Sequence, residues 1–451
     1  MERQKLLIIA GVVVIVVIAI LAFGLKRNGG PRLQSVTLEF WSVYEDEKVF
    51  KELIEDYRGS NRHVTIKFEK KPFDNYEEDL LNALAAGKGP DIFSIHHAWL
   101  PKHKDKISPM PETEWFMSLE EFSNTFIDVV YSDFVAKEEK EEEKTRIGRE
   151  EEEEEEEIYA VPLYVDTLAL YYNKDMFNSA GIPSPPTNWE ELLDDVYTLT
   201  EKDKWGNIQK SGIAMGTAEN INRSTDILSL LMLQSGAKMT NEEHSRATFN
   251  QTVRLGEERF SPGKEALRFY TDFSNPTKNI YCWNRQRPYS IDAFYEGKVA
   301  MFINYSHSIE TIISKSPYLN FAIAPVPQIK DSELDINYAN YWGLTVSKNS
   351  ENSNEAWKFI LYLAQKENVK KYLENTKRPT ARRDLIEWQK EDPELGVFAN
   401  QVLSAKSWYQ ADNSAIEKIF ADMVESIVLE KTSLDRALNE AADKVTILMK
   451  K

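Results

Sequence analysis

YAVPLYVDTLALYYNKDMFNSAGIPSPPTNWEELL, residues 159 to 193, carries the deciding pattern. An apolar run enters it, a lone carboxylate (Asp166) interrupts it, and a Pro-rich turn closes it before a new amphipathic segment. Burying a carboxylate is costly unless it has a partner. Asp166 is therefore either paired inside the fold or directed at a ligand in a cleft. After it, residues 168–172 read as a strand. Asn188 suits a helix N-cap, with Glu191 three residues on as its capping-box partner.

The same rhythm extends outward on both sides. Residues 36–41 alternate apolar and polar as a strand, Val49, Phe50, Leu53, Ile54 and Tyr57 share a helical face, and Val64, Ile66 and Phe68 alternate again. A second helix carries Tyr76, Leu80, Leu81 and Leu84, and a short strand begins at Pro90. Strand–helix–strand order implies right-handed crossovers and a largely parallel sheet, with ligands beyond the carboxyl ends of its strands. That rule points to Trp41–Tyr44 and to His96–Trp99. Toward the C-terminus, residues 298–303, 321–325 and 341–346 read as buried strands, and 355–364 and a segment from about 432 read as helices.

A chain of 451 residues is too long for one ordinary core, so two lobes are expected. The formal charge is −18, which argues against nucleic acid, since phosphate binding needs clustered Lys and Arg. Half of that charge lies in Glu138–Glu157, with 13 acids against four bases. Such a run repels itself and reads as a solvated, disordered insertion. Leu6 to Leu25 is uncharged and flanked by Arg3, Lys5, Lys26 and Arg27, long enough to span a bilayer as an uncleaved anchor. Cys282, the single cysteine, excludes an intrachain disulfide and has no nearby His to activate it. His96, His97, His103 and Asp105 lack the spacing of a zinc site, and no enzyme signature such as H-E-x-x-H, G-x-S-x-G or a P-loop occurs. Neither a metal nor a cofactor is expected.

Eight short blocks then converge: LEFW at 38–41, GKGPDI at 87–92, YAVP at 159–162, LYYNKD at 170–175, FYEGKVAM at 294–301, APVP at 324–327, YWGL at 341–344 and EAWKF at 355–359. In these blocks and their order the chain resembles the extracellular solute-binding proteins of ABC importers, the large family that includes maltose-binding protein. The resemblance covers about residues 36 to 450. It implies an α/β, two-lobed periplasmic-binding-protein-like fold with an interlobe cleft and hinge, here preceded by one N-terminal transmembrane helix. By analogy, residues 1–30 would be anchor and linker, 36–135 plus 338–375 lobe one, 136–157 the acidic insertion, and 158–330 plus 378–451 lobe two. The resemblance further implies a membrane-anchored, extracytoplasmic binding subunit. Its solute closes the two lobes, and the importer's permease subunits read the closed shape. No bond would be made or broken.

Carbohydrate is the first expectation for the solute, because sugar C–H faces pack on aromatic planes while hydroxyls need donors and acceptors. Trp41, Tyr44, Trp99, Tyr164, Trp283, Trp342 and Trp408 fall in turns or strand ends near the implied cleft, and Glu45 follows the first strand. Asp166 falls where the family often places a carboxylate on the ligand. His97 matches a family His, but Ala98 and Trp99 replace the charged pair that follows it, which speaks against a maltodextrin. Asn304-Tyr-Ser-His307 departs from the family's Asn-Gly-Pro-Trp, so His307 would hydrogen-bond where others stack. Two other readings stay open: the same fold binding a peptide, polyamine or other non-sugar solute, and a membrane-tethered enzyme acting on surface glycans.

Overall fold

The computed structural model describes residues 35–137, 155–256 and 258–450. Its strands, in chain order, are β1 (Val36–Ser42), β2 (Val64–Lys70), β3 (Ile92–His96), β4 (Ile107–Ser108), β5 (Val135–Lys137), β6 (Glu156–Ile158), β7 (Val161–Pro162), β8 (Asp166–Thr167) and β9 (Ala169–Asn173). They continue with β10 (Glu201–Lys202), β11 (Ile208–Ile213), β12 (Val253–Leu255), β13 (Glu258–Phe260), β14 (Val299–Asn304), β15 (Phe321–Pro325), β16 (Asn337–Asn340), β17 (Trp342–Ser347) and β18 (Ala405–Lys406).

One sheet runs β2-β1-β3-β17-β4, with β7 also on β17. Here β1 lies parallel to β2 and β3, as the crossover rule requires. Strand β17 is antiparallel to β3, β4 and β7, so the sheet is mixed and not largely parallel. The second sheet runs β10-β11-β14-β9-β15, parallel only between β11 and β14. Helices cover both sheets with the expected faces. Helix Glu47–Ser60 buries Val49, Phe50, Leu53, Ile54 and Tyr57, and helix Leu434–Leu448 buries Ala437, Leu438, Ala441, Ala442 and Val445. Asn188 caps helix Trp189–Leu199 by accepting from Glu191 N, while Glu191 reaches back to the N–H of Thr187.

Two separate apolar cores result, one per sheet. A small third sheet, β18-β16-β8, lies where the chain changes cores. Val165 belongs to the first core and Leu168 to the second, Tyr338 to the second and Ala339 to the first, Ala405 to the first and Trp408 to the second. These crossings form the hinge region.

Two expected boundaries shift. Ile158 to Val165 packs in the first core because β7 pairs with β17, so the chain leaves lobe one at Asp166 and not at 158. Ala381, Leu385 and Ile386 also remain in the first core, tied by the bridge of Tyr164 to Thr380 and by Ile127 N donating to Ala381 O. The acidic insertion begins and ends in order: β5 pairs antiparallel with β6, and the hydroxyls of Tyr131 and Tyr159 donate to Glu156 and Glu157. Its middle, residues 138–154, lies outside the described residues, as does the apolar segment Leu6–Leu25. Among the described residues no helix is long and apolar enough to cross a membrane.

Candidate functional site

Between the two cores lies a cavity of about 120 Å³, lined by Tyr44, Tyr164, Asp166, Arg223, Tyr305, His307, Asn340, Trp342 and Arg378. Its place follows from the sheets. Tyr44 follows the carboxyl end of β1, and Trp342 sits opposite His96 at the carboxyl end of β3. From the second lobe, Tyr305 and His307 follow the carboxyl end of β14, and Arg223 opens helix Ser224–Gln234. Asp166 and Asn340 face each other in the β8–β16 register of the hinge. The cavity is thus at the carboxyl ends of strands from both lobes, where open α/β sheets place ligands.

Aromatic planes form one wall. Trp342 is packed edge-on by Tyr44 at 5.7 Å and Trp99 at 5.0 Å, and Trp99 is backed by Tyr76. Tyr44 is 40% exposed and stacks on Phe73, so its ring is available from the cleft. Tyr164 is 5% exposed, with the Arg378 guanidinium over its ring at 5.1 Å. Arg223 sits 5.4 Å from the Tyr305 ring.

Polar partners fix the floor. Both Asp166 oxygens accept from Ser306 N at 3.0 Å, Oδ2 accepts from Ser306 Oγ at 2.7 Å, and Oδ1 accepts from Thr167 N at 3.0 Å. Arg378 adds an ion pair at 3.8 Å. Burial raises the Asp166 pKa above the usual carboxylate value, opposed by Arg378 and by the Ser306 bonds. Tyr305 Oη donates to Asp226 at 2.8 Å, and burial raises Asp226 as well. Glu417, on helix Asn413–Val428, is pushed up to about 7 by desolvation and then by Asp226. His307 is pushed down to about 3 by burial and then by Arg223 and Arg378, which leaves a neutral imidazole. Desolvation works against the charge of both arginines, but neighbouring acids and tyrosines raise their values, so both stay cationic.

The structure brings together five of the residues singled out from sequence: Tyr44, Tyr164, Asp166, His307 and Trp342. Trp99 stands directly behind Trp342. Trp41 lies in β1 under the Lys71 ammonium, 3.7 Å from its ring, and is not part of the lining. Glu45 is occupied by Ser42 Oγ and Tyr372 Oη, each at 2.8 Å, and serves the first lobe. Asn304 is buried at the end of β14, with its Oδ1 accepting from Tyr305 N. Trp283 is completely buried in the second core, bonded to Asn220, and is a packing residue there. Its turn position in the sequence conceals that burial.

His97 and Trp408 line a different and larger cavity of about 430 Å³, with Asp133, His244, Tyr409 and Gln410. There His97 stacks on Tyr341 at 5.0 Å with Nδ1 3.2 Å from Asp133, and Asp133 is already taken by Tyr341 Oη and Ser407 Oγ. Trp408 stacks on Phe420, and its indole N–H donates to Ser229. In the smaller cavity Arg223, Arg378 and Tyr164 donate no side-chain hydrogen bond among the described residues.

Sequence reading missed Arg223, Tyr305, Asn340 and Arg378. None lies in a shared block, and Arg223 and Arg378 come from loops whose position the hinge alone decides. The available signal for Arg378 was its place just after the end of the expected lobe-one segment. Among the described residues no group of three metal-ligating side chains is assembled.

Comparison with known proteins agrees with this architecture. A family model described as bacterial extracellular solute-binding protein matches residues 41–370. A binding protein of Brucella abortus (strain 2308) is 24% identical over 417 residues, covering 89% of this chain and 90% of its own. The maltotriose-binding protein of Pyrococcus abyssi is 24% identical over 335 residues, covering 72% of this chain and 61% of its own. Among solved structures, the cyclic alpha-maltosyl-1,6-maltose binding protein from Arthrobacter globiformis superposes with a TM-score of 0.72 at 18% identity, covering 92% of this chain and 99% of that one. At that identity the likeness is one of fold.

Proposed function

Because the chain belongs to the bacterial extracellular solute-binding proteins, we propose that it captures a polyhydroxyl solute of the carbohydrate class between its lobes and delivers it to an ABC importer. The carrying observation is the cavity at the seam. Tyr44 and Trp342 face it from one lobe, Tyr305 and His307 from the other, and Asp166, Asn340 and Arg378 from the hinge. A solute that touches all three sets is held best when the lobes are closed, so binding shifts the population toward closure. Aromatic faces suit sugar C–H surfaces, and the polar groups between them suit hydroxyls. Carbohydrate-binding relatives support the class of solute.

The protein would work from the outer face of the membrane, tethered by Leu6–Leu25, and would present the closed form to permease subunits. Catalysis has no part in this account. Thermal-shift screening of the full-length chain in detergent against sugars, polyols, peptides and polyamines tests it. Stabilisation by a polyhydroxyl compound with no product formed supports the reading. Stabilisation by peptides or polyamines alone, or turnover of a glycan, overturns it. Fractionation tests the tether: the full chain should sediment with membranes, and a chain starting at Pro31 should not.

A further inference from the structure

We propose that the solute carries an oxyanion, a phosphate ester or a carboxylate, on a small polyhydroxyl frame, and that Arg223 and Arg378 bind this group. The proposal rests on reading the seam cavity as the solute site.

The argument is one of unused hydrogen-bonding capacity. A guanidinium offers five N–H donors and no acceptor. Among the described residues neither arginine donates a hydrogen bond from its side chain. Arg378 has the 3.8 Å ion pair with Asp166 and lies over the Tyr164 ring, while Arg223 lies over the Tyr305 ring and, among the described residues, has no carboxylate within ion-pair distance. Both line the cavity, and Arg378 is only 16% exposed. Tyr164 and Trp342, both buried side chains in the cavity lining, likewise make no side-chain hydrogen bond among the described residues. These donors belong to side chains that line one volume. The charges of both guanidiniums act on Tyr44 and on His307 alike, so they reach the same space.

Free acceptors are scarce by comparison. Asp166, the carboxylate in the lining, already accepts from Ser306 and Thr167 on both oxygens. Glu45 and Asp226 nearby are engaged by tyrosine hydroxyls. A neutral sugar hydroxyl can accept from an arginine but brings a donor with it and no charge to meet two guanidiniums. An oxyanion presents acceptors only, and the planar fork of arginine matches phosphate and carboxylate geometry in bidentate fashion. Arg223 is held for this role in a left-handed backbone conformation, φ 59°, at the start of its helix, a conformation that costs a non-glycine residue energy.

Size narrows the solute further. The cavity, about 120 Å³, is smaller than the roughly 150 Å³ that takes up a benzene ring. It suits a short polyol, with the anion at the arginines and the frame against Trp342 and Tyr44.

Titration calorimetry of the full-length chain tests this. Glucose and glycerol would be compared with glucose 6-phosphate, glucuronate and glycerol phosphate, with inorganic phosphate as a further probe. At least one acidic compound should bind 100-fold or more tightly than its neutral parent, and the phosphate and carboxylate arms decide which oxyanion is preferred. Arg223→Gln and Arg378→Gln should each weaken that binding tenfold or more. Arg378→Gln also removes the counter-charge of Asp166, so Tyr164→Phe, which deletes one hydroxyl donor, provides a second variant and should weaken acidic-ligand binding several-fold. Neutral parents binding as tightly as the acidic compounds, or acidic binding indifferent to all three substitutions, overturns the proposal while leaving the carbohydrate reading intact. If no polyol binds, acidic or neutral, both fall.

Discussion

Asp166→Ala separates a structural carboxylate from a ligand-binding one. The side chain is 2% exposed and accepts from Ser306 N, Ser306 Oγ and Thr167 N, with Arg378 at 3.8 Å. It therefore staples the hinge strand β8 to the loop after β14 in the second lobe. Truncation leaves the Ser306 and Thr167 N–H groups without their acceptor and Arg378 without its counter-charge. Breaking one partner of a buried pair costs about 3–5 kcal/mol, a large share of the roughly 5–15 kcal/mol that holds a domain together. Asp166→Asn keeps one acceptor toward Ser306. Because burial already raises the Asp166 pKa, the neutral isostere should cost less, about 1–3 kcal/mol. Urea unfolding followed by far-UV circular dichroism would measure both. The expected order is wild type, then Asn, then Ala. An alanine variant within about 0.5 kcal/mol of wild type, the range of an ordinary surface substitution, would refute the staple and free the carboxylate for the solute.

Glu417 gives a pH signature. Its folded value, about 7, lies above the ordinary 4.5, so the native state holds a proton that the unfolded chain releases. Stability should fall as pH rises from about 4.5 to 7. Asp226, Arg223, Tyr44 and His97 set its environment. Glu417→Gln should remove this slope, read as melting temperature at pH 5 against pH 8. Tyr44→Ala should leave the melting temperature nearly unchanged, since the ring is 40% exposed, yet weaken solute binding about tenfold in calorimetry. Trp283→Ala should cost about 3–5 kcal/mol in urea unfolding, because the ring is fully buried in the second core. Trp283→Phe should bind solute as tightly as wild type.

Periodicity made the strands and helices of both lobes legible, because each buries one face and writes it into the sequence. Phe321–Pro325 stands as expected, and most other strands differ by a residue or two at their ends. Strand direction was harder to read. The antiparallel β17 arrives from the hinge strand β16, and local pattern carries no record of which end a strand enters from. The site was legible where it sits in or within a few residues of a shared block, as with Trp342 in YWGL, Tyr44 after LEFW, and Tyr164 and Asp166 after YAVP. It was hidden where loops supply it. Arg223 and Arg378 look like ordinary surface cations in sequence, and only the meeting of two lobes brings both into the lining of one cavity. Trp283 and Glu45 show the converse: residue types that suit a cleft, taken up by Asn220 and by Tyr372.

The central claim is capture at the seam with closure of the lobes. Cys282 is buried, and burial pushes its thiol up to about 12, so introduced cysteines can be spin-labelled selectively. Labels at Lys51 on helix Glu47–Ser60 and at Tyr318, which is 99% exposed on the second lobe, would report the interlobe distance by pulsed electron resonance. With the stabilising solute at saturation, the distance distribution should shift and narrow, and Arg378→Gln should abolish the shift at the same solute concentration. A solute that binds with stoichiometry one while the distribution stays unchanged would contradict the account.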